Sequence, residues 1–218
     1  MNKVWSELNK TMQGQIKKKD TYKAGIATLF DLRNQLMEIL TSFNEELSRK
    51  DFDAIPFINA DGYHSKTIAY SIWHVFRIED IVVHTLINES EQVFFTGNYR
   101  ERINSPIITT GNELVKEQIS DFSKQLNLKE LYSYIFEVKD STEKIINSLS
   151  YDELKKKISE ERKEHLKLLN VVSNDENAIW LIDYWCGKDI RGLIQMPFSR
   201  HWIMHIEASL RIKNKIHS

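Results

Sequence analysis

The sequence contains few of the residues that interrupt regular structure or cross-link a chain. Seven glycines and three prolines in 218 residues are too few for an all-β fold with many tight turns. The single cysteine, Cys186, excludes an intramolecular disulfide and fits a reducing compartment, so we expect a cytoplasmic protein. These scarcities favour long, uninterrupted helices.

The sequence also lacks long apolar runs and an excess of charge of either sign. No segment approaches the ~18 apolar residues of a spanning helix, and the first residues contain no apolar signal region, so no membrane association is expected. Thirty Lys and Arg against 31 Asp and Glu give a formal net charge of −1. That balance does not attract polyanions, so nucleic acid is not an expected partner.

What the chain does contain is a succession of amphipathic helical patterns. One stripe at three- and four-residue spacing comprises Ile26, Leu29, Leu36, Leu40, Phe43 and Leu47. Such patterns predict long helices over 22–50, 66–90, 128–150 and 197–215, with shorter helices between them. The stretch 151–196 is too long for a tight turn, so one connection crosses over. The sequence therefore predicts an all-α protein with one domain over 1–218, a four-helix bundle with additional short helices and one long crossover connection.

Three local predictions concern the connections between these helices. Residues 95–111 are expected to form a loop, and Thr110 with Glu113 resembles a capping box that would begin a short helix ending near Leu126. A further short helix is expected to end near Gly187. Pro197 is expected in the first turn of the final helix, where the missing N–H is tolerated.

The final helix carries two histidines on its apolar face. His201 and His205 share that face with apolar residues of the same helical stripe, namely Ile194, Phe198, Ala208 and Ile212. Side chains at i and i+4 have Cβ atoms roughly 6 Å apart, close enough for both rings to ligate one ion. By itself the pair fits either a metal site or a polar network in the core. Trp202 stands where a zinc peptidase motif has glutamate, so peptidase activity is not expected.

A third ligand is available from the helix predicted over 66–90, which is apolar nearly all round. His74 lies there in the segment SIWHVFRIED, although a lone histidine of this kind is more often a hydrogen-bonded core residue. The other histidines fit no shared site, because they fall in a loop, on other helix faces or in the tail: His64, His84, His165 and His217.

Several other side chains leave two interpretations open. Cys186 is either a small apolar residue beside a tryptophan or a reactive thiol. Lys188 and Arg191 form either a solvated turn or an anion-holding loop.

At the level of motifs, the chain resembles the DinB-like family of damage-inducible, YfiT-related helical proteins. The resemblance is carried by WCGKDIRGLIQMPFSRHWIMHIEASLRIKNKI (185–216) together with SIWHVFRIEDIV (71–82). The family pattern has one histidine in the second bundle helix and an H-x-x-x-H pair in the last, which His74, His201 and His205 match. The resemblance implies a four-helix bundle with a three-histidine site for a divalent metal ion, most often zinc or nickel. It also implies a low-molecular-weight thiol as a cofactor, since some relatives are thiol-dependent transferases or isomerases. Arg77, one turn from His74, and Arg200, next to His201, are then candidates to hold a carboxylate of that thiol, or are capping and surface charges.

Two functions follow from this pattern. The first is a metal-dependent enzyme acting on a small molecule, a thiol-dependent S-transferase of stress or detoxification metabolism, because three imidazoles leave a coordination position open. The alternative is a non-catalytic metal-binding or dimerising stress-response protein, and a homodimer is the expected assembly. An enzyme should have a cleft beside His74 lined by one or more of Tyr70, Trp185 and Trp202, whereas a sealed site favours the alternative.

Overall fold

The computed structural model describes residues 2–218, and within that range it contains α-helices but no β-strand. The helices are α1 (Lys3–Gln15), α2 (Tyr22–Glu46), α3 (Arg49–Asp53), α4 (Ile68–Asp80), α5 (Val93–Thr96), α6 (Tyr99–Ile103), α7 (Glu117–Gln125), α8 (Leu128–Ser148), α9 (Glu160–Leu168), α10 (Trp180–Cys186), α11 (Ile190–Gln195) and α12 (His201–Ile216). A π-helical segment, Ile81–Asn88, continues α4, and a π-helical turn, Met196–Arg200, precedes α12. The all-α prediction is confirmed.

The four long helices predicted from periodicity are present as α2, α4 with its π-helical extension, α8, and α12 with the π-helical turn that precedes it. Only the first differs by more than two residues at either end. It stops at Glu46 because Leu47 has extended backbone (φ −106°, ψ 140°), and Ser48 and Asp51 then form a capping box that starts α3. Every residue of the stripe predicted on the first helix is buried.

The prediction of a loop over 95–111 was wrong in part, because α5 ends and α6 lies inside this stretch. The carboxylate of Asp80 accepts hydrogen bonds from the backbone amides of Val93 (2.9 Å) and Phe94 (2.8 Å) at the start of α5. A side chain from the preceding long helix thus binds amides that the short helix leaves free.

The capping box predicted at Thr110 and Glu113 was also wrong, since α7 begins only at Glu117. The carbonyl of Thr110 accepts a hydrogen bond from His74, and Glu113 instead accepts one from the hydroxyl of Thr109. The predicted helix end at Gly187 is confirmed, because α10 ends at Cys186.

Helix α4 is buried along its whole length and is central to the packing. It contacts α8 and α12, while α2 contacts α1, α8 and α12. No helix of residues 2–218 is long and apolar enough to cross a membrane. The packing of α4 on α12 matters most for the site, because these two helices carry the three candidate ligands.

A buried ion pair joins α2 to α4, beside the contact of α4 with α12. Arg33 of α2 and Glu79 of α4 are both fully buried, and the guanidinium donates two hydrogen bonds to the carboxylate, at 2.8 and 2.9 Å. The indole Nε1 of Trp202 in α12 donates to the same carboxylate at 2.8 Å. One carboxylate therefore connects α2, α4 and α12 in the core.

Candidate metal centre

The positions at which α4 and α12 begin determine where the three histidines lie along these helices. The hydroxyl of Thr67 accepts a hydrogen bond from the amide of Tyr70 (3.0 Å) and caps α4, which puts His74 in the second turn of that helix. The π-helical turn containing Pro197 leads directly into α12, whose first residue is His201 and whose fifth is His205. The packing of α4 against α12 turns the three rings toward each other.

The three imidazoles form one cluster. Ring centroids are 5.1 Å apart for His74 and His201, 4.9 Å for His74 and His205, and 4.6 Å for His201 and His205. One nitrogen from each ring lies within 4.8 Å of the others, and the residues are 4%, 6% and 2% exposed in chain order. The three histidines therefore lie close enough to hold a metal ion.

A backbone carbonyl fixes the ring of His74. Its Nδ1 lies 2.6 Å from the carbonyl oxygen of Thr110, and because a carbonyl can only accept, Nδ1 carries the proton. The neutral ring then has its lone pair on Nε2, as a metal ligand requires. Tyr70 stacks on the same ring, with centroids 5.2 Å apart and an interplanar angle of 12°. His74 is held in one tautomer and one orientation.

The loop that supplies this carbonyl is itself fastened to α4. The hydroxyl of Tyr70 donates to the carbonyl of Gly111 (2.8 Å), and the guanidinium of Arg77 donates to the carbonyl of Ile108 (2.7 and 3.0 Å). Gly111 has φ +77°, and a Cβ there would lie 2.8 Å from the ring of Trp73, so only glycine fits. Side chains on one face of α4 thus hold the Thr110 carbonyl in place.

Three of the four nitrogens of the other two rings are buried without partners. Nδ1 of His201 and both Nδ1 and Nε2 of His205 find no hydrogen-bond partner within the described part of the chain. Buried polar atoms are nearly always paired, and an unmet one destabilises a fold by about 1–3 kcal/mol. A metal ion in the centre of the cluster would engage one nitrogen of each ring. The donor set therefore fits a divalent ion that prefers imidazole.

All three rings are neutral at physiological pH. Burial lowers the pKa of His74 to about 4, against a smaller opposing effect of the Thr110 carbonyl. Burial, followed by the neighbouring histidines, holds the pKa values of His201 and His205 well below the usual range. Neutral imidazole is the form that coordinates metals, so no proton must be displaced from the cluster at pH 7.

These pKa values predict that the metal-free protein loses stability as the pH falls from 7 to 5. The unfolded chain takes up protons at histidine near a pKa of about 6.5, whereas the folded cluster does not. Since the unfolded state then binds more protons, the free energy of unfolding falls with pH, by up to about 1.4 kcal/mol per pH unit for each histidine. Urea unfolding of chelator-treated protein at pH 7, 6 and 5 measures this slope. His205→Leu should reduce the slope and His165→Asn should not; a slope unchanged by His205→Leu would contradict the assignment.

Residues 62–66 cover the cluster. The ring of Tyr63 packs edge-on against His205, with centroids 4.8 Å apart. The ammonium of Lys66 lies 5.2 Å from the centre of the Tyr70 ring that stacks on His74. Both covering side chains are half-buried, and burial lowers the pKa of Lys66. A ligand from solvent would meet these two side chains first.

The cavity that borders His205 is small and closed in by apolar side chains. Its volume is about 10 Å³, room for no more than one water molecule. The expected aromatic lining does not occur there: Trp185 is buried in a separate part of the core, and Trp202 points its indole at Glu79. Of the three predicted aromatics, Tyr70 alone stacks on a ligand ring.

The predicted cofactor-binding arginines lie in different surroundings. The guanidinium of Arg77 is fully buried, bonded to the Ile108 carbonyl and 3.5 Å from the carboxylate of Asp80. Arg200 is exposed. Binding of a thiol cofactor by either residue stays a prediction, and the contacts of Arg77 give it a structural role in holding the loop.

The other candidate side chains have local partners. Burial raises the pKa of Cys186 to about 11, so it is a neutral thiol at physiological pH. Lys188 lies over the ring of Tyr184 at 4.1 Å, and Arg191 pairs with Asp189 at 2.8 Å. These contacts are those of a structured turn rather than of a free anion-binding loop.

The remaining histidines lie outside the cluster. His84, the only other buried one in the described range, is hydrogen-bonded to the carboxylate of Asp80 and the hydroxyl of Ser141, both at 2.8 Å. Sequence reasoning thus separated ligand candidates from core and surface histidines. It missed the Thr110 carbonyl, Tyr63 and Lys66, because their positions depend on two loops. No family model and no curated protein matches the chain.

Proposed function

We propose that this protein binds one divalent metal ion through His74, His201 and His205. The observation that carries the proposal is the set of three imidazole nitrogens, on His201 and His205, that are buried without hydrogen-bond partners. In His74, by contrast, Nδ1 is hydrogen-bonded to the Thr110 carbonyl, which orients the ring and leaves Nε2 to bind the ion. Zinc and nickel are the ions we propose, because both favour imidazole ligands.

The burial of the cluster favours a non-catalytic metal-binding role as the first function. All three ligands are almost fully buried, and the adjoining cavity has a volume of about 10 Å³. Small-molecule sites are usually clefts of roughly 300–1,000 Å³, so this cavity does not hold a substrate in the described conformation.

A second candidate function is thiol-dependent S-transfer at the same centre. Two observations favour it: the cluster supplies three ligands rather than the four of a closed structural site, and Lys66 places a positive charge near His74 and His205. The chemistry that a divalent ion supplies in such a site is Lewis acidity, which lowers the pKa of a bound thiol. Lys66 would pair with an anionic ligand such as a thiolate, and Tyr63 would have to move to admit it.

We also propose that the chain is a DinB-like protein and that α2, α4, α8 and α12 form its four-helix bundle. The support is the agreement of the three clustered histidines with the family pattern, and the packing of α4 on α8 and α12 and of α2 on α8 and α12.

Titration of metal-free protein with Zn²⁺ or Ni²⁺ tests the proposal. We expect one ion per chain, together with a rise in thermal stability. At a free ion concentration about a hundredfold above Kd, the stabilisation should reach about 2.7 kcal/mol. Substoichiometric binding with no change in stability would contradict it.

A thiol titration of the nickel-loaded protein separates the two functions. If an external thiol reaches the centre, mercaptoethanol should produce a thiolate-to-nickel charge-transfer band. Tyr63→Ala, which removes the covering ring, should strengthen this band. A loaded protein that shows no band in either form has a sealed centre and the non-catalytic role.

A further inference from the structure

A large cavity lies away from the three histidines, between the carboxyl end of the π-helical segment and α9. Its volume is about 720 Å³, within the range of small-molecule sites. The metal ligand candidates are not among its lining residues.

The floor of this cavity contains a polar group that the protein leaves unpaired. Gln92 is 2% exposed, and its Nε2 donates to the hydroxyl of Thr85, itself 3% exposed, at 2.9 Å. The amide oxygen Oε1 of Gln92 finds no hydrogen-bond partner in residues 2–218. A ligand that brings an N–H or O–H donor would satisfy this buried acceptor once the Gln92 side chain turns its amide toward the cavity.

Apolar side chains form one wall of the cavity. Leu168, at the carboxyl end of α9, is 77% exposed, far more than a side chain of its type in a core. Leu169 and Phe95 are partly buried and lie against the same space. An apolar group of a ligand would cover this surface and remove it from water.

The rim is strongly acidic. Four glutamates line it, Glu89, Glu91, Glu161 and Glu164, against one arginine, Arg162. That arginine is engaged by the Leu86 carbonyl and by one of the glutamates. Glu164 pairs with Lys167 at 2.7 Å. Glu91 and Glu161 take part in no ion pair within residues 2–218, so these two carboxylates give the entrance its excess of negative charge, which attracts cations.

We propose that this cavity is a second binding site, for a small organic cation with an aromatic or alkyl body, such as an arylalkylamine. The ammonium group donates to Oε1 of Gln92 and lies in the field of Glu91 and Glu161. The apolar body packs on Leu168 and Phe95. Three independent features define the site. The acidic rim favours a positively charged ligand, the Gln92 oxygen favours a hydrogen-bond donor, and the apolar wall favours an apolar body.

Calorimetric titration of the full, metal-loaded chain with 4-phenylbutylamine and with the neutral 4-phenylbutan-1-ol tests the proposal. The two probes differ in the charge of the polar group and share the apolar body. We expect the amine to bind at least about tenfold more tightly than the alcohol, because a hydrogen bond to a charged donor is roughly twice as strong as a neutral one. Equal affinities, or no binding of the amine, would overturn it.

Matched surface variants locate the binding. Leu168→Arg puts a positive charge on the apolar wall at an exposed position and should weaken amine binding at least about tenfold. Phe136→Arg makes the same change at another exposed apolar residue, 44% exposed and outside the cavity, and should leave the affinity unchanged. Gln92→Leu should reduce the preference for the amine over the alcohol. If Leu168→Arg bound the amine like the parent, the site would be elsewhere and the proposal wrong.

Discussion

Replacement of Glu79 by leucine is expected to lower the free energy of unfolding by about 3–5 kcal/mol, because it leaves a buried cation without its main counter-charge. Arg33 and Glu79 are fully buried and share two hydrogen bonds. Burial acts to lower the pKa of Arg33, but the charges of Glu79 and Glu143 outweigh this effect and leave the pKa raised. The guanidinium keeps its proton in the variant, since arginine does not deprotonate in proteins. Urea unfolding followed by circular dichroism measures the loss.

Two controls separate the buried pair from charge removal in general. Asp183→Asn breaks an ion pair between Lys163 and Asp183, in which the Asp183 side chain is 80% exposed. This change should leave the stability nearly unchanged. The double variant Arg33→Met with Glu79→Leu removes both charges and should recover part of the loss. A Glu79→Leu protein as stable as the parent would show that the pair contributes little to the fold.

The ion pair and the histidine cluster are parts of one arrangement. Glu79 lies in the helix of His74 and binds the indole of Trp202, which directly follows His201. The guanidinium of Arg33 also lies 4.2 Å from the centre of the Trp202 ring. The pair therefore holds α4 and α12 together at the level of the cluster.

Periodicity made the pair His201 and His205 predictable, whereas its association with His74 was predicted from the resemblance to the family pattern. A spacing of four residues puts His201 and His205 on one helical face, and the apolar character of that face places the rings in the core. His74 lies on a helix that is apolar all round, so its burial was also evident. What periodicity cannot provide is the partner of His74 across the loop, because Thr110 is 36 residues away and presents a backbone group.

Where local signals failed, a contact distant in sequence decided the structure. The motif at Thr110 resembles a helix start, yet the chain there is fixed by bonds to α4. Helix α5 depends on the carboxylate of Asp80, 13 residues upstream of Val93. By contrast, α1 could have been predicted, since Trp5, Leu8 and Met12 recur at helical spacing.

The proposed metal binding depends on His205, whose two ring nitrogens have no hydrogen-bond partner in the described residues, and two expectations follow. His205→Ala should raise the Kd for Zn²⁺ at least about a hundredfold, since the loss of a group that merely supports a ligand already weakens binding 10–100-fold. When both are metal-free, the same variant should lose only the packing of the ring and therefore less stability than a variant that removes a hydrogen-bonded histidine, because the imidazole that it removes makes no hydrogen bond.

The matched control is His84→Ala, which removes a buried histidine with partners on both nitrogens, Asp80 and Ser141. It should show the reverse pattern, a loss of stability with the Kd for Zn²⁺ unchanged, because the Asp80 carboxylate and the Ser141 hydroxyl each lose a hydrogen bond while the cluster is untouched. Zinc titrations and urea unfolding of the two variants and the parent distinguish the roles. If His205→Ala kept its zinc, or if the two variants lost metal equally, the cluster would be a packing feature of the core. Replacing a metal ligand weakens binding of the ion, whereas replacing a structural histidine lowers the stability of the fold.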